Sequence, residues 1–183
     1  MFTSQSGNKA GHNVVAGDSY EVHNYGPQSP LAALYKKLRE SDSASSLPAI
    51  SEQLQHYCNV PTDGDVRGLE EKLTVSKRAD LIFPASQLKQ AATKLVMKWQ
   101  TSGVAQDILT HVLSKLYSDF LMNVTPSIQA GAPRAEIDTL INEKVIGPAQ
   151  GMLGDNDLML TASDLLGLLF FLGGNCHIRW DAC

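Results

Sequence analysis

The sequence predicts a mainly α-helical protein, a bundle-like helical domain with a short N-terminal β appendage and a short C-terminal strand. Three observations carry this. After Gly26, apolar residues recur at helical spacing through most of the chain. Ser, Thr or Pro stands at the start of several of those periodic runs. Before Gly26, and again at the C-terminus, apolar and polar residues alternate in short runs bounded by glycine. The division falls between residues 1–28, a Gly-turned β segment, and residues 29–183, the helical domain.

The opening stretch "SGNKAGHNVVAGDSYEVHNYG" places glycine at Gly7, Gly11, Gly17 and Gly26. It does not have the G-x-G-x-x-G spacing of a dinucleotide loop, and no G-x-x-x-x-G-K-[ST] occurs anywhere in the chain. His12, Asp18 and His23 match no standard metal-ligand spacing. "NVVA" and "SYEVHNY" read instead as short strands. Tyr20, Val22 and Asn24 point to one side, and Glu21, His23 and Tyr25 to the other. Strands this short do not bury enough surface alone, and their edges require a partner. The expectation is self-association by strand pairing between copies. Gly11 and Gly17 would take the close-approach positions, and Val14, Val15, Tyr20 and Val22 the apolar contacts. The alternative is an arm that folds back as a local hairpin.

The helices follow in order. "SPLAALYKKLRES" has Ser29 as N-cap, Pro30 in the first turn, and a stripe of Leu31, Leu34, Tyr35 and Leu38. "SDSASS" is a linker, and "LPAISEQLQHYC" resumes as a helix with Ile50, Leu54 and Tyr57 on one side. "NVPTDGD" is a turn, and "VRGLEEKLTVS" a short helix weakened by Gly68. In "PASQLKQAATKLVMKWQ" the stripe is Leu88, Ala91, Ala92, Leu95, Val96 and Trp99. In "VAQDILTHVLSKLYSDFL" it is Leu109, Val112, Leu113, Leu116 and Phe120. The tight connection Thr101–Gly103 predicts that these two are antiparallel neighbours. "TPSIQAGAP" separates them from "RAEIDTLINEKVIGPAQGML", whose stripe is Ile137, Leu140, Ile141 and Val145. Pro148 is expected to kink or end that helix. Thr161 and Asp164 form a capping box before the last helix, which is apolar almost all round from Leu165 to Leu172 and is expected at the centre of the bundle, the alternative being contact with a partner. "GGN" stops it. "CHIRWD" then alternates Cys176, Ile178 and Trp180 against His177, Arg179 and Asp181, the pattern of a terminal strand.

Composition narrows the function classes. The net charge of −4 comes with no basic block, so direct nucleic-acid contact is not expected. Lys36, Lys37 and Arg39, and Lys89, Lys94 and Lys98, read as solvated helix faces. Cys58, Cys176 and Cys183 are an odd set without C-x-x-C spacing, which suits reduced thiols in the cytoplasm. The N-terminus carries no apolar leader core, and the run Leu165–Leu172 is too short to cross a bilayer.

Candidate chemistry is sparse, and the chain is expected to be no enzyme and to need no cofactor. Cys176 and His177 are adjacent and point to opposite faces of a strand, so they do not pair by themselves. His56 and Cys58 lie on different helix faces, and His111 is a boundary residue. Glu70 and Glu71 form a solvated face. His177, Arg179 and Asp181 form a polar row, read as a structural feature or a partner interface.

Nearly the whole chain resembles the C-terminal domain of ABC-three component systems of bacterial conflict and anti-phage operons. The matching pieces are the Gly-turned segment, "SPLAALYKKLRES", "GLEEKL", "AQDILTHVLSKLYSDF", "TPSIQAGAPRAEIDTLINEKVIGPA" and "LLFFLGGNCHIRWD", the last being the most specific. Typical members carry a larger effector, often a nuclease or protease, ahead of the first piece. This chain starts almost at that piece, and its "FFLGG" departs from the Tyr- and Thr-containing form. What the resemblance implies is an adaptor or assembly module. It would dock onto a small middle component and an SMC-like ATPase, as a standalone subunit or a decoy. The cytoplasmic location and the homo-oligomer are expected from the cysteine usage and the N-terminal strands. The rival expectations are a small hydrolase using Cys176 or His177 and an oligomeric nucleic-acid sensor.

Overall fold

The helical spacing after Gly26 becomes seven continuous helical rods among the residues described by the computed structural model, 29–40, 50–60 and 66–181. They are α1 (Ala32–Glu40), α2 (Glu52–Cys58), α3 (Leu69–Val75) and α4 (Ile82–Lys98), the last entered through a single 3₁₀ turn. Then α5 (Gly103–Asp119) runs through a π turn (Phe120–Val124) into α6 (Thr125–Gln129). Next α7 (Arg134–Leu140) runs through a second π turn (Ile141–Ile146) into α8 (Gly147–Leu153), and α9 (Ala162–Gly174) closes the series.

Short polar side chains set several of the starts. Ser51 and Ser102 accept from the backbone N–H groups of Leu54 and Ala105. Thr161 and Asp164 complete the capping box read from the sequence. The Ser29 hydroxyl accepts from Leu31 N–H and donates to the Met152 carbonyl, tying the start of α1 to the end of α8.

α9 is the central element. Leu165, Leu168, Leu169, Phe170, Phe171 and Leu172 are all buried, so nearly every side of the helix faces protein. Its principal partner is α4. Gly167 permits this contact, because a Cβ there would lie 2.8 Å from the Leu88 carbonyl oxygen. α5 packs with α1, α2 and α9, burying Ile108, Leu109, Val112, Leu113 and Leu116. The expected antiparallel α4–α5 pair is therefore not the packing unit. The tight connection between them is present, but the small Gly167 and Ala92 surfaces draw α4 along α9 instead.

Pro148 does not end its helix. Pro126 and Pro148 sit inside continuous rods. In an α-helix a proline ring collides with the carbonyl four residues back. Each of these prolines follows a π turn that displaces that carbonyl. Thr125 N–H bonds Phe120 five residues back, and Gly147 N–H bonds Asn142 five residues back. The two π turns pack against each other.

The C-terminal strand is not found. Residues 175–181 form no ladder, and among the described residues there is no strand. Cys176 takes a left-handed φ of 64°, which reverses the chain straight after α9. The alternation came from Ile178 and Trp180, two core anchors of a loop. The N-terminal β appendage, with Gly11, Val14, Val15, Gly17, Tyr20 and Val22, lies outside the described residues.

Candidate partner interface

A glycine at the end of α9, Gly173, allows the C-terminal segment to fold back. A Cβ on Gly173 would lie 2.3 Å from the Trp180 ring, and one on Gly174 would lie 2.4 Å from Lys89 Nζ. Trp180 thus lies flat on the helix end, with its ring 5.7 Å from Phe120 and 5.6 Å from Phe170. The turn is closed by His177 N–H bonding the Leu172 carbonyl at 2.9 Å.

Polar groups gather beneath this turn. Lys72 is fully buried and donates from Nζ to the Gly173 carbonyl at 2.7 Å, capping α9. Burial lowers its pKa, helped by Arg179 and opposed by Cys176 and Asp181. Asp181 is buried and ion-paired with Arg67 at 2.6 Å. The Cys176 thiol donates to the Arg67 carbonyl at 3.4 Å, and Asn175 donates to the Tyr57 carbonyl at 3.0 Å. These bonds hold the C-terminal segment to the chain ahead of α3 and to α2.

His177, Arg179 and Asp181 do meet. They line one cleft of about 150 Å³ with Tyr117, Leu121 and Gln129. Cys176 turns towards Arg67 while the His177 ring turns towards α2, so the adjacent pair diverges. Cys58 is half-buried and burial raises its pKa, which disfavours the thiolate. Among the described residues no group of three His, Cys, Asp or Glu side chains is placed to hold a metal.

A second surface lies on the other side of α9. An apolar groove of about 520 Å³ runs between α4, the second π turn and α9, with Leu81, Pro84, Leu88 and Leu166 in its lining. Its charged rim is internally paired. Arg134 forks onto Asp80 at 2.6 and 2.7 Å, and the buried Arg78 bonds Asp138. Arg134 holds the Asp80 carboxyl below the usual carboxylate range.

Sequence reasoning passed over Lys72, Arg67, Arg78 and Arg134. For Lys72 a signal existed, because it falls three residues after Leu69 and one before Leu73, on the apolar face of α3. Arg67 and Arg78 carry no such mark, since their partners come from distant parts of the chain, whereas Arg134 meets Asp138 four residues on as well as the distant Asp80.

The sequence profile of C-terminal domain 9 of the ABC-three component systems matches residues 68–180. The chain belongs to that family. It is thus a domain of a multi-component conflict system, as the closing motif suggested. In this C-terminal domain 9 the matched region takes in α3 to α9 and the folded-back Trp180, and leaves α1 and α2 outside. No curated protein and no solved structure matches the chain. No described helix is long and apolar enough to cross a membrane.

Proposed function

We propose that the chain is a non-catalytic, cytoplasmic adaptor of an anti-phage ABC-three component system. It self-associates through residues 1–28 and docks to the middle component and the SMC-like ATPase of its own operon through the cleft formed by His177, Arg179 and Asp181. The observation that carries the reading is the family membership over residues 68–180. The use of the polar side chains supports it. The lysine, aspartate and thiol nearest the family's closing motif bond backbone or ion-pair partners instead of converging on an open pocket.

Two experiments test the two parts. Deleting residues up to Gly26 is expected to leave the helical circular dichroism intact and lower the mass measured by light scattering. An unchanged mass rejects the strand-paired assembly. For docking, Arg179→Glu is expected to weaken capture of the co-expressed middle component while the fold is kept. Undiminished capture moves the interface away from the cleft. Cys176→Ser addresses the rival hydrolase. It should leave operon protection intact, and a loss of protection with partner binding kept would instead favour a catalytic role.

A further inference from the structure

Two imidazoles meet where α2 touches the C-terminal segment. The His177 ring lies 5.3 Å from His56, 5.6 Å from Tyr57 and 6.5 Å from Tyr117, centroid to centroid. His177 is half-buried, and its Nε2 is buried without a hydrogen-bond partner among the described residues. A proton added there would be buried, compensated only in part by the backbone carbonyls of Asn59, Tyr57 and His56. Asp181, the carboxylate of the same cleft, is paired with Arg67 at 2.6 Å, and Arg179 of that cleft is itself cationic. Lys72 and Cys176 lie towards the end of α9. His56 also shares a groove with Tyr57 and with Asp107 and His111 of α5. α2 is only seven residues long, too short to stay helical without its contacts. Its other ties, Ser51 N–H to Gln106 and Asn175 to the Tyr57 carbonyl, do not titrate.

We propose that the His56–His177 contact is a proton-sensitive clasp that holds α2 against the C-terminal segment and releases it on acidification. This is independent of the adaptor reading, because it concerns how α2 is held and not what the protein docks to. Burial, and then repulsion from a charge on His56, hold His177 below the ordinary 6.5. The carbonyls of Asn59, Tyr57 and His56 at the end of α2 pull the other way. With the released state titrating near 6.5, the clasp is at full strength above that pH. As the pH falls below it, the released state takes the proton first. The opening equilibrium then grows until His177 protonates in place, by about tenfold for each unit of depression.

Hydrogen exchange of the full chain at pH 7.5 and 5.5, corrected for intrinsic rates, reads this directly. Residues 52–58 are expected to lose several-fold more protection than α9 on acidification. That excess should shrink in His56→Gln and vanish in His177→Gln. An NMR titration of the His177 ring, which needs no variant of it, should fall below 6.5 and rise in His56→Gln. The proposal is overturned if α2 and α9 lose protection equally, if both variants keep the excess, or if His177 titrates at or above 6.5.

Discussion

Gly173 shows how a single missing Cβ organises the closing motif. Adding a methyl group there drives it into the Trp180 ring, whose other sides are fixed by Phe120 and Phe170. Gly173→Ala is expected to cost about 1–3 kcal/mol by overpacking, measured by urea denaturation followed by tryptophan fluorescence. Tyr35 offers a contrasting case. Its hydroxyl is buried without a partner among the described residues, and burial, with Asp157 and Asp155 nearby, pushes its pKa up to about 12. An unfolded tyrosine ionises near 10, so the unfolded state loses its proton first and stability falls as the pH rises from about 10 towards 12. Tyr35→Phe should leave stability near pH 7 unchanged and remove that alkaline loss, as thermal melts across the range would show. Both positions were only half visible in the sequence. Tyr35 sits in the apolar stripe of its helix, which predicts burial, but nothing local says that its hydroxyl goes unpaired. The "GG" pair reads as a helix stop. At Gly173 the need for smallness depends on a ring that returns from seven residues later.

Capping and buried amides decide how the individual helices sit. Gln106 is fully buried, accepting from Ser51 N–H and donating to the Gln100 carbonyl, each at 2.6 Å. Gln106→Ala strands both backbone groups and is expected to destabilise by about 1–3 kcal/mol, with faster hydrogen exchange concentrated in α2. Thr161→Ala removes half of the capping box and should cost about 1 kcal/mol in the same denaturation assay. The helices themselves were legible. Their apolar stripes follow from local chemistry, and Thr161 caps as expected, while Ser51 and Ser102, which sequence reasoning passed over, cap as well. Helix pairing was not legible, because the α4–α9 contact depends on Gly167, a residue with no side chain to leave a pattern. The terminal strand failed for a related reason. Alternation at Ile178 and Trp180 reports which residues enter the core, not whether a neighbouring strand exists.

At the scale of the whole molecule, the family region and the helices ahead of it share one core. Leu31, Tyr35 and Leu54 belong to the same buried cluster as α5 and α9. A fragment holding residues 66–181 loses these three and bares the side of α5 that packs with α1 and α2. It is expected to melt at a lower temperature than the full chain and to associate as its concentration rises, which sedimentation at several concentrations would reveal. The candidate interface was partly legible. The polar row His177, Arg179 and Asp181 does line one cleft, but Asp181 is spent on Arg67, a pairing between residues more than a hundred positions apart.

The two π turns carry a consequence for insertions and deletions. A π turn is a helix with one residue too many, and each residue of an α-helix advances the chain by about 100° around the axis. The direction in which α6 and α8 present their side chains is therefore set by residue count as well as residue type. Asn123 is exposed in the first π turn, and its amide bonds the Asp119 carbonyl of its own helix, so Asn123→Ala should be close to silent. Deleting Asn123 is a different perturbation. It would return the turn to ordinary α geometry and restore the collision at Pro126. At this position the length of the chain is under tighter constraint than its spelling.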